Sequence, residues 1–144
     1  MNYITTHGQE LETAYPYTAV TGTCQYNQSQ GKVNVTSINQ VPAGTVADLK
    51  AAINAGPTSV TVEADTYVFQ MYTGGILNSA DCGTNLDHAI TAVGYGTDPT
   101  AGEYYIVRNS WGASWGDQGY IMIAAVDGVG ICGIQQISVW PNTN

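Results

Sequence analysis

The stretch Tyr105-Ile106-Val107-Arg108-Asn109-Ser110-Trp111-Gly112-Ala113-Ser114-Trp115-Gly116 constrains this chain more than any other. The β-branched and aromatic residues over 104–107 predict a strand. That strand delivers Asn109 into a turn where two tryptophans and two glycines follow closely. Loops seldom spend a ring as large as Trp unless it covers something. The candidate for what is covered is the Asn109 amide, whose hydrogen bond holds one partner better with water excluded. The plainer alternative is a core strand ending in a hairpin whose tryptophans simply pack, and this stretch alone leaves both readings open.

A second strand signal, Leu86-Asp87-His88-Ala89-Ile90-Thr91-Ala92-Val93-Gly94-Tyr95-Gly96, lies upstream with His88 near its start. The chain has two histidines, and this one sits among apolar residues. Alone it reads as a satisfied core histidine. With a strand beside it that ends in an Asn–Trp turn, it reads as the imidazole of a Cys–His–Asn nucleophilic system, oriented by the amide.

Together these motifs identify a resemblance to the papain family of cysteine proteases, most closely the lysosomal cathepsin L type. Asp87-His88-Ala89, Val93-Gly94-Tyr95-Gly96 and Asn109-Ser110-Trp111-Gly112-x-x-Trp115-Gly116 match the family's His and Asn motifs in order and spacing. Ala14-Tyr15-Pro16-Tyr17, Gly56-Pro57-Thr58-Ser59-Val60, Tyr72-x-Gly74-Gly75-Ile76 and Ile131-Cys132-Gly133 also fall into register. The resemblance covers essentially the whole of 1–144. It implies the C-terminal portion of a papain-like domain: an α+β fold whose right, antiparallel barrel-like half carries one main helix.

By that resemblance His88 is the general acid/base and Asn109 accepts the hydrogen bond that fixes its tautomer. Trp111 shields that bond and Trp115 lines the leaving-group side of the cleft. Leu86, Ala89, Thr61 and Ile137 map onto the main specificity pocket, which therefore favours apolar side chains; Ile137 stands where an acidic residue would admit Arg. Asp87 and Ser110 neighbour the two catalytic positions and so point to the opposite faces of their strands. The resemblance pairs Cys82 with Cys132. It leaves Cys24 without its partner, hence a free thiol or a bond to another chain. Zinc at Cys82 and His88 is a poor alternative, since two ligands and one distant cysteine make no tetrahedral site.

One departure is large. The family's nucleophile motif, a Gln followed by a Cys-Gly-x-Cys-Trp run, does not occur. A papain-type nucleophile precedes its His and Asn by about 130–150 residues. Counting back from His88 falls before Met1, and none of Cys24, Cys82 and Cys132 opens a helix in the required setting.

A formal charge of −8, with three Lys and Arg together, argues against nucleic-acid binding and against attraction to anionic membranes. Charged residues are 10% of the chain, so polar neutral residues supply the surface, a balance suited to an acidic compartment where carboxylates partly neutralise. No apolar run approaches a membrane span. The expected location is lysosomal, vacuolar or secreted, and no cofactor is implied. At 144 residues the chain is expected to form one domain.

Along the chain, residues 2–7 predict the end of a helix stopped by Gly8, with His7 exposed at its last turn. Pro16 predicts extended backbone over 14–17. The polar loop 22–31 contains Asn27-Gln28-Ser29, and Asn34-Val35-Thr36 follows; both fit the glycosylation acceptor pattern, which also arises by chance. Val46, Leu49, Ala52 and Ile53 recur at helical spacing over 46–55, and Gly56-Pro57 stops that helix. Strands are predicted at 59–64, 119–125 and 135–140, and a helical turn or two at 65–71 with Phe69 and Met71 in the core.

Two functions fit. The chain is the His/Asn portion of a papain-like endopeptidase acting on peptides and proteins, with the Cys-bearing half elsewhere. The alternative is a non-catalytic binding or structural module keeping the fold without the nucleophile. Either leaves an apolar face that another chain, or the missing half, must cover.

Overall fold

The structure is a computed structural model that describes residues 2–143. It contains two compact units, 2–39 with 141–143, and 40–140. The second holds the residues singled out above and is organised around strand alternation.

Strand β2 (Thr58–Val62) buries Thr58, Val60 and Val62 and leaves Ser59 and Thr61 half exposed, the period-two pattern of a sheet with one core face. β4 (His88–Asp98) contributes Ile90 and Ala92 to the same face, β5 (Gly102–Arg108) Tyr105 and Val107, and β6 (Tyr120–Ala124) Ile121 and Ile123. Order across the sheet of this unit is β7-β2-β4-β5-β6-β3, with β3 spanning Ile76–Leu77 and β7 Ser138–Thr143. The pairs β2–β4, β4–β5, β5–β6 and β2–β7 are antiparallel. β3 lies parallel to β6, an exception to the antiparallel expectation.

The predicted main helix is present as α1, Val46–Ala55, with Leu49, Ala52 and Ile53 buried. Thr45 accepts from the Asp48 backbone N–H at 3.1 Å, a typical N-cap. Asp127 accepts from Val46 N at 2.8 Å and satisfies another free donor of the first turn. Burying a side chain such as Leu49 contributes about 1.5–3 kcal/mol. Lys50 bridges outward, 2.6 Å from Glu103 Oε1 and 4.7 Å from the centre of the Tyr95 ring. A short helix α2 (Tyr67–Gln70) sets Phe69, fully buried, under the loop after β5. Met71, expected in the core, is 59% exposed because the helix ends at Gln70 and turns it outward. Cys82 and Cys132 form the expected disulfide.

In the first unit β1 (Val35–Gln40) meets the chain end: Thr36 Oγ1 donates to the Asn142 carbonyl at 3.2 Å and Asn142 Nδ2 to Ser37 Oγ at 2.8 Å. Residues 2–7 form only a single 3-10 turn, Asn2–Thr5, rather than the end of a longer helix. His7 is not a free last-turn side chain. Its ring stacks on Tyr3 at 4.1 Å and meets Tyr26 edge-on at 5.2 Å, contacts that replace solvent around it. The backbone before Pro16 is also less extended than expected, since Ala14 and Tyr15 both donate to the Leu11 carbonyl.

Candidate active site

β4 and β5 pair antiparallel with Thr91 opposite Arg108, so β5 ends where β4 begins and its following loop returns toward His88. Asn109 is held there by its own backbone, whose N–H donates to the Gly119 carbonyl at 2.9 Å. The loop from Ser110 to Gly119 closes on itself through Gly119 N to Trp115 O at 2.8 Å. Gly116 is required by that closure. Its φ is +59°, and an added Cβ would stand 2.5 Å from the Tyr120 carbonyl oxygen.

His88 Nε2 lies 2.9 Å from Asn109 Oδ1. The same oxygen accepts from the Ser110 backbone N–H at 2.7 Å, and a backbone N–H can only donate. That fixes which end of the amide is oxygen, and therefore which imidazole nitrogen carries the proton. Nε2 donates, and Nδ1 is left as the basic nitrogen. Asn109 is 8% exposed, and its Nδ2 is buried with no hydrogen-bond partner among the described residues. The amide works through its oxygen alone.

Trp111 stacks against the imidazole with centroids 5.1 Å apart and planes at 27°. It is held from below by Phe69 at 5.6 Å and from the side by Trp115 at 5.3 Å, both edge-to-face. Trp115 packs on Phe69 and Tyr72, and its indole N–H donates to the Gln70 carbonyl at 3.0 Å. A half-buried indole with its N–H satisfied is an anchored wall rather than a mobile flap.

Asp87 is turned away from the ring. Its carboxylate accepts from Ala64 N at 2.7 Å and Asp65 N at 3.2 Å, tying the end of β2 to the start of β4. Thr61, Ala89 and Ile137 form a second group. Thr61 pairs with Ala89 in register and donates twice to the Ile137 carbonyl, from N at 3.2 Å and from Oγ1 at 3.1 Å. His88 pairs with Val62, so by alternation Thr61 and Ala89 occupy the other face of the sheet. The Leu86 side chain packs on Gly133, where an added methyl group would meet its Cδ2 at 2.8 Å.

Phe69 is expected from the sequence as core filling, and nothing in the sequence marks Gln70 or Gly119 as part of the site. Phe69 is buried, yet its ring is the base on which both tryptophans rest. The Gln70 and Gly119 contributions are carbonyl oxygens, which no residue type announces. In this unit both cysteines are consumed by the disulfide, so among its residues no thiol is available to the imidazole. Cys24, in the first unit, is an exposed free thiol.

A family model of papain family cysteine proteases matches residues 1–142. Papaya proteinase 4 from Carica papaya is 41% identical over 147 residues, covering 100% of this chain and 42% of that protein. Cathepsin L from Sarcophaga peregrina is 38% identical over 136 residues, covering 93% and 40%. Among solved structures, the bromelain protease from Ananas comosus in complex with the E64 inhibitor superposes with a TM-score of 0.87 at 38% identity, over 98% of this chain and 66% of that one. The chain thus spans about two fifths of the length of these curated relatives.

Proposed function

The chain belongs to the papain family of cysteine proteases, and on that premise we propose that it supplies the histidine and asparagine of a cysteine endopeptidase. The observation that carries this reading is the His88 Nε2 to Asn109 Oδ1 bond, which leaves Nδ1 free to face a thiol. In the assembled enzyme a cysteine from a separate segment forms a thiolate–imidazolium pair with His88, each charge lowering the cost of the other. The thiolate attacks the peptide carbonyl, and the imidazolium protonates the leaving amine. Asn109 holds the ring through both steps, and Trp111 keeps water off the bond that does so. Trp115 walls the leaving-group side.

Leu86, Ala89, Thr61 and Ile137 give the specificity pocket an apolar or neutral lining, so the substrate is a peptide with an apolar side chain there. The chain works with a Cys-bearing segment and is inactive alone; Cys24 is available to hold that segment covalently. The second unit exposes Val93 and Tyr120, apolar area that such a partner would cover. The reading places the protein in a vacuole, a lysosome or the secreted fraction. The chain's −8 charge weighs against a nucleic-acid partner.

The test is the intact mass of native material, non-reduced and then reduced, together with labelling by a thiol-directed epoxide. Release of a second polypeptide that carries the epoxide supports the two-part enzyme. A lone 144-residue chain that takes no label and cleaves nothing overturns it, and leaves a non-catalytic module. The disulfide-locked cysteines of the second unit are the observation favouring that second reading.

A further inference from the structure

The chain has two Asn-x-Ser/Thr sequences, and the structure treats them differently. Asn27 is exposed in the 22–31 loop, and its Oδ1 accepts from the Ser29 hydroxyl at 2.8 Å and the Ser29 N–H at 3.0 Å. The turn is held from below by Glu10, a carboxylate only 7% exposed, which accepts from Asn27 N at 3.0 Å. It is closed above by Gln30 N to the Asn27 carbonyl at 2.9 Å. Every polar group of Asn27 is thereby engaged except Nδ2, which makes no hydrogen bond among the described residues.

Asn34 is exposed as well, but the third residue of its triplet is turned elsewhere. The Thr36 hydroxyl donates to the Asn142 carbonyl at 3.2 Å, not to Asn34. Val35, the middle residue, is 6% exposed and begins β1. The Asn34 amide also lies over Gly8, where a methyl group would stand 3.0 Å from its Oδ1.

We propose that Asn27, and not Asn34, is an N-glycosylation site of this chain. The hydroxyl bonded to the amide oxygen draws electron density toward oxygen and makes an Nδ2 proton easier to lose. Nδ2 forms a bond to the anomeric carbon of an oligosaccharide carried on a polyisoprenyl pyrophosphate, the bond from that carbon to phosphate oxygen breaks, and the pyrophosphate lipid departs as Nδ2 gives up one proton. The sugar projects into solvent from an atom that holds nothing else, so the loop keeps all its bonds. This rests on the vacuolar, lysosomal or secreted placement proposed above.

The experiment takes native material from its source and treats it with peptide-N-glycanase in ¹⁸O-water, then maps tryptic or other protease peptides by mass. Asn27 is expected to convert to ¹⁸O-labelled Asp and Asn34 to remain Asn. In the expressing organism Asn27→Gln and Ser29→Ala each remove the glycan mass, Ser29→Thr restores it by returning the hydroxyl, and Asn34→Gln leaves it unchanged. A vacuolar or secreted chain with bare Asn27, or with sugar on Asn34 alone, overturns the proposal. Peptidase activity is read on the same sample. A bare but active protein sinks this inference alone, and a glycosylated chain that carries no thiol-labelled partner and cleaves nothing sinks the protease reading alone. A sugar-free chain confined to the cytosol overturns this inference and the placement beneath it.

Discussion

Asn109 presents one oxygen to two donors, the His88 imidazole 2.9 Å away and the backbone of Ser110 at 2.7 Å. The second contact makes the first unambiguous, because it pins the amide's orientation independently of the ring. In the isolated chain His88 is therefore expected to be protonated at Nε2 when neutral. Imidazole ¹⁵N shifts should report that tautomer in the wild type and a mixture in Asn109→Ala. In the assembled enzyme His88→Ala should lower kcat/KM by about 10²–10⁴-fold, with Asn109→Ala losing less. An unchanged tautomer in Asn109→Ala would remove the orienting role.

Gly116→Ala combines a positive φ with a collision against the Tyr120 carbonyl oxygen. We expect a loss of about 1–3 kcal/mol in denaturant unfolding, with Trp fluorescence reporting a loosened loop. Gly112→Ala shares the positive φ but has nothing within 4 Å of the added atom, so it should cost less.

The Cys82–Cys132 bond closes a loop with a sequence separation of 50. Replacing both cysteines by alanine should cost about 2–4 kcal/mol, chiefly by freeing the unfolded chain. Equal stability of the double variant and wild type in non-reducing urea titrations would contradict this.

Tyr105 is fully buried, and its hydroxyl donates to Gln135 Oε1 at 2.7 Å, while Gln135 Nε2 donates to the Gly128 carbonyl at 2.9 Å. Burial first, then the charges of Asp127 and Glu103, raise its pKa well above the usual phenol value. A raised folded-state pKa contributes stability that is whole below the unfolded value, about 10, and is lost as pH climbs through the folded one. Wild type should therefore lose stability above about pH 10 more steeply than Tyr105→Phe. At neutral pH that variant should be weaker by about 1–3 kcal/mol, having left the Gln135 oxygen buried and unpaired.

Ile137 is 52% exposed, so an acidic residue there should be tolerated by the fold. If it lines the specificity pocket, Ile137→Glu should raise the ratio of kcat/KM for Arg over Leu substrates by about tenfold or more. An unchanged ratio would remove Ile137 from the pocket.

Much of the second unit was legible because its elements are long enough for periodicity to speak. Leu49, Ala52 and Ile53 marked the helix, alternation marked β2, and a β-branched and aromatic run marked β5. The two-residue β3 had no period to show, and β1 buries only Val35, so neither stood out before the tertiary structure was known. Met71 was misplaced for a related reason. A four-residue helix ends too soon for its apolar pattern to decide which side faces in.

At the site, residue identity and motif spacing singled out His88, Asn109, Trp111 and Trp115 through the family resemblance those motifs carry. Tertiary structure alone decided how they meet. The register of β4 against β5, the Gly119 carbonyl that holds Asn109, the Ser110 N–H that orients its amide and the Phe69 ring beneath the tryptophans all come from distant backbone and packing. Backbone carbonyls and N–H groups are common to nearly every residue. A sequence therefore names the side chains that do chemistry, and the folded chain selects the groups that aim them.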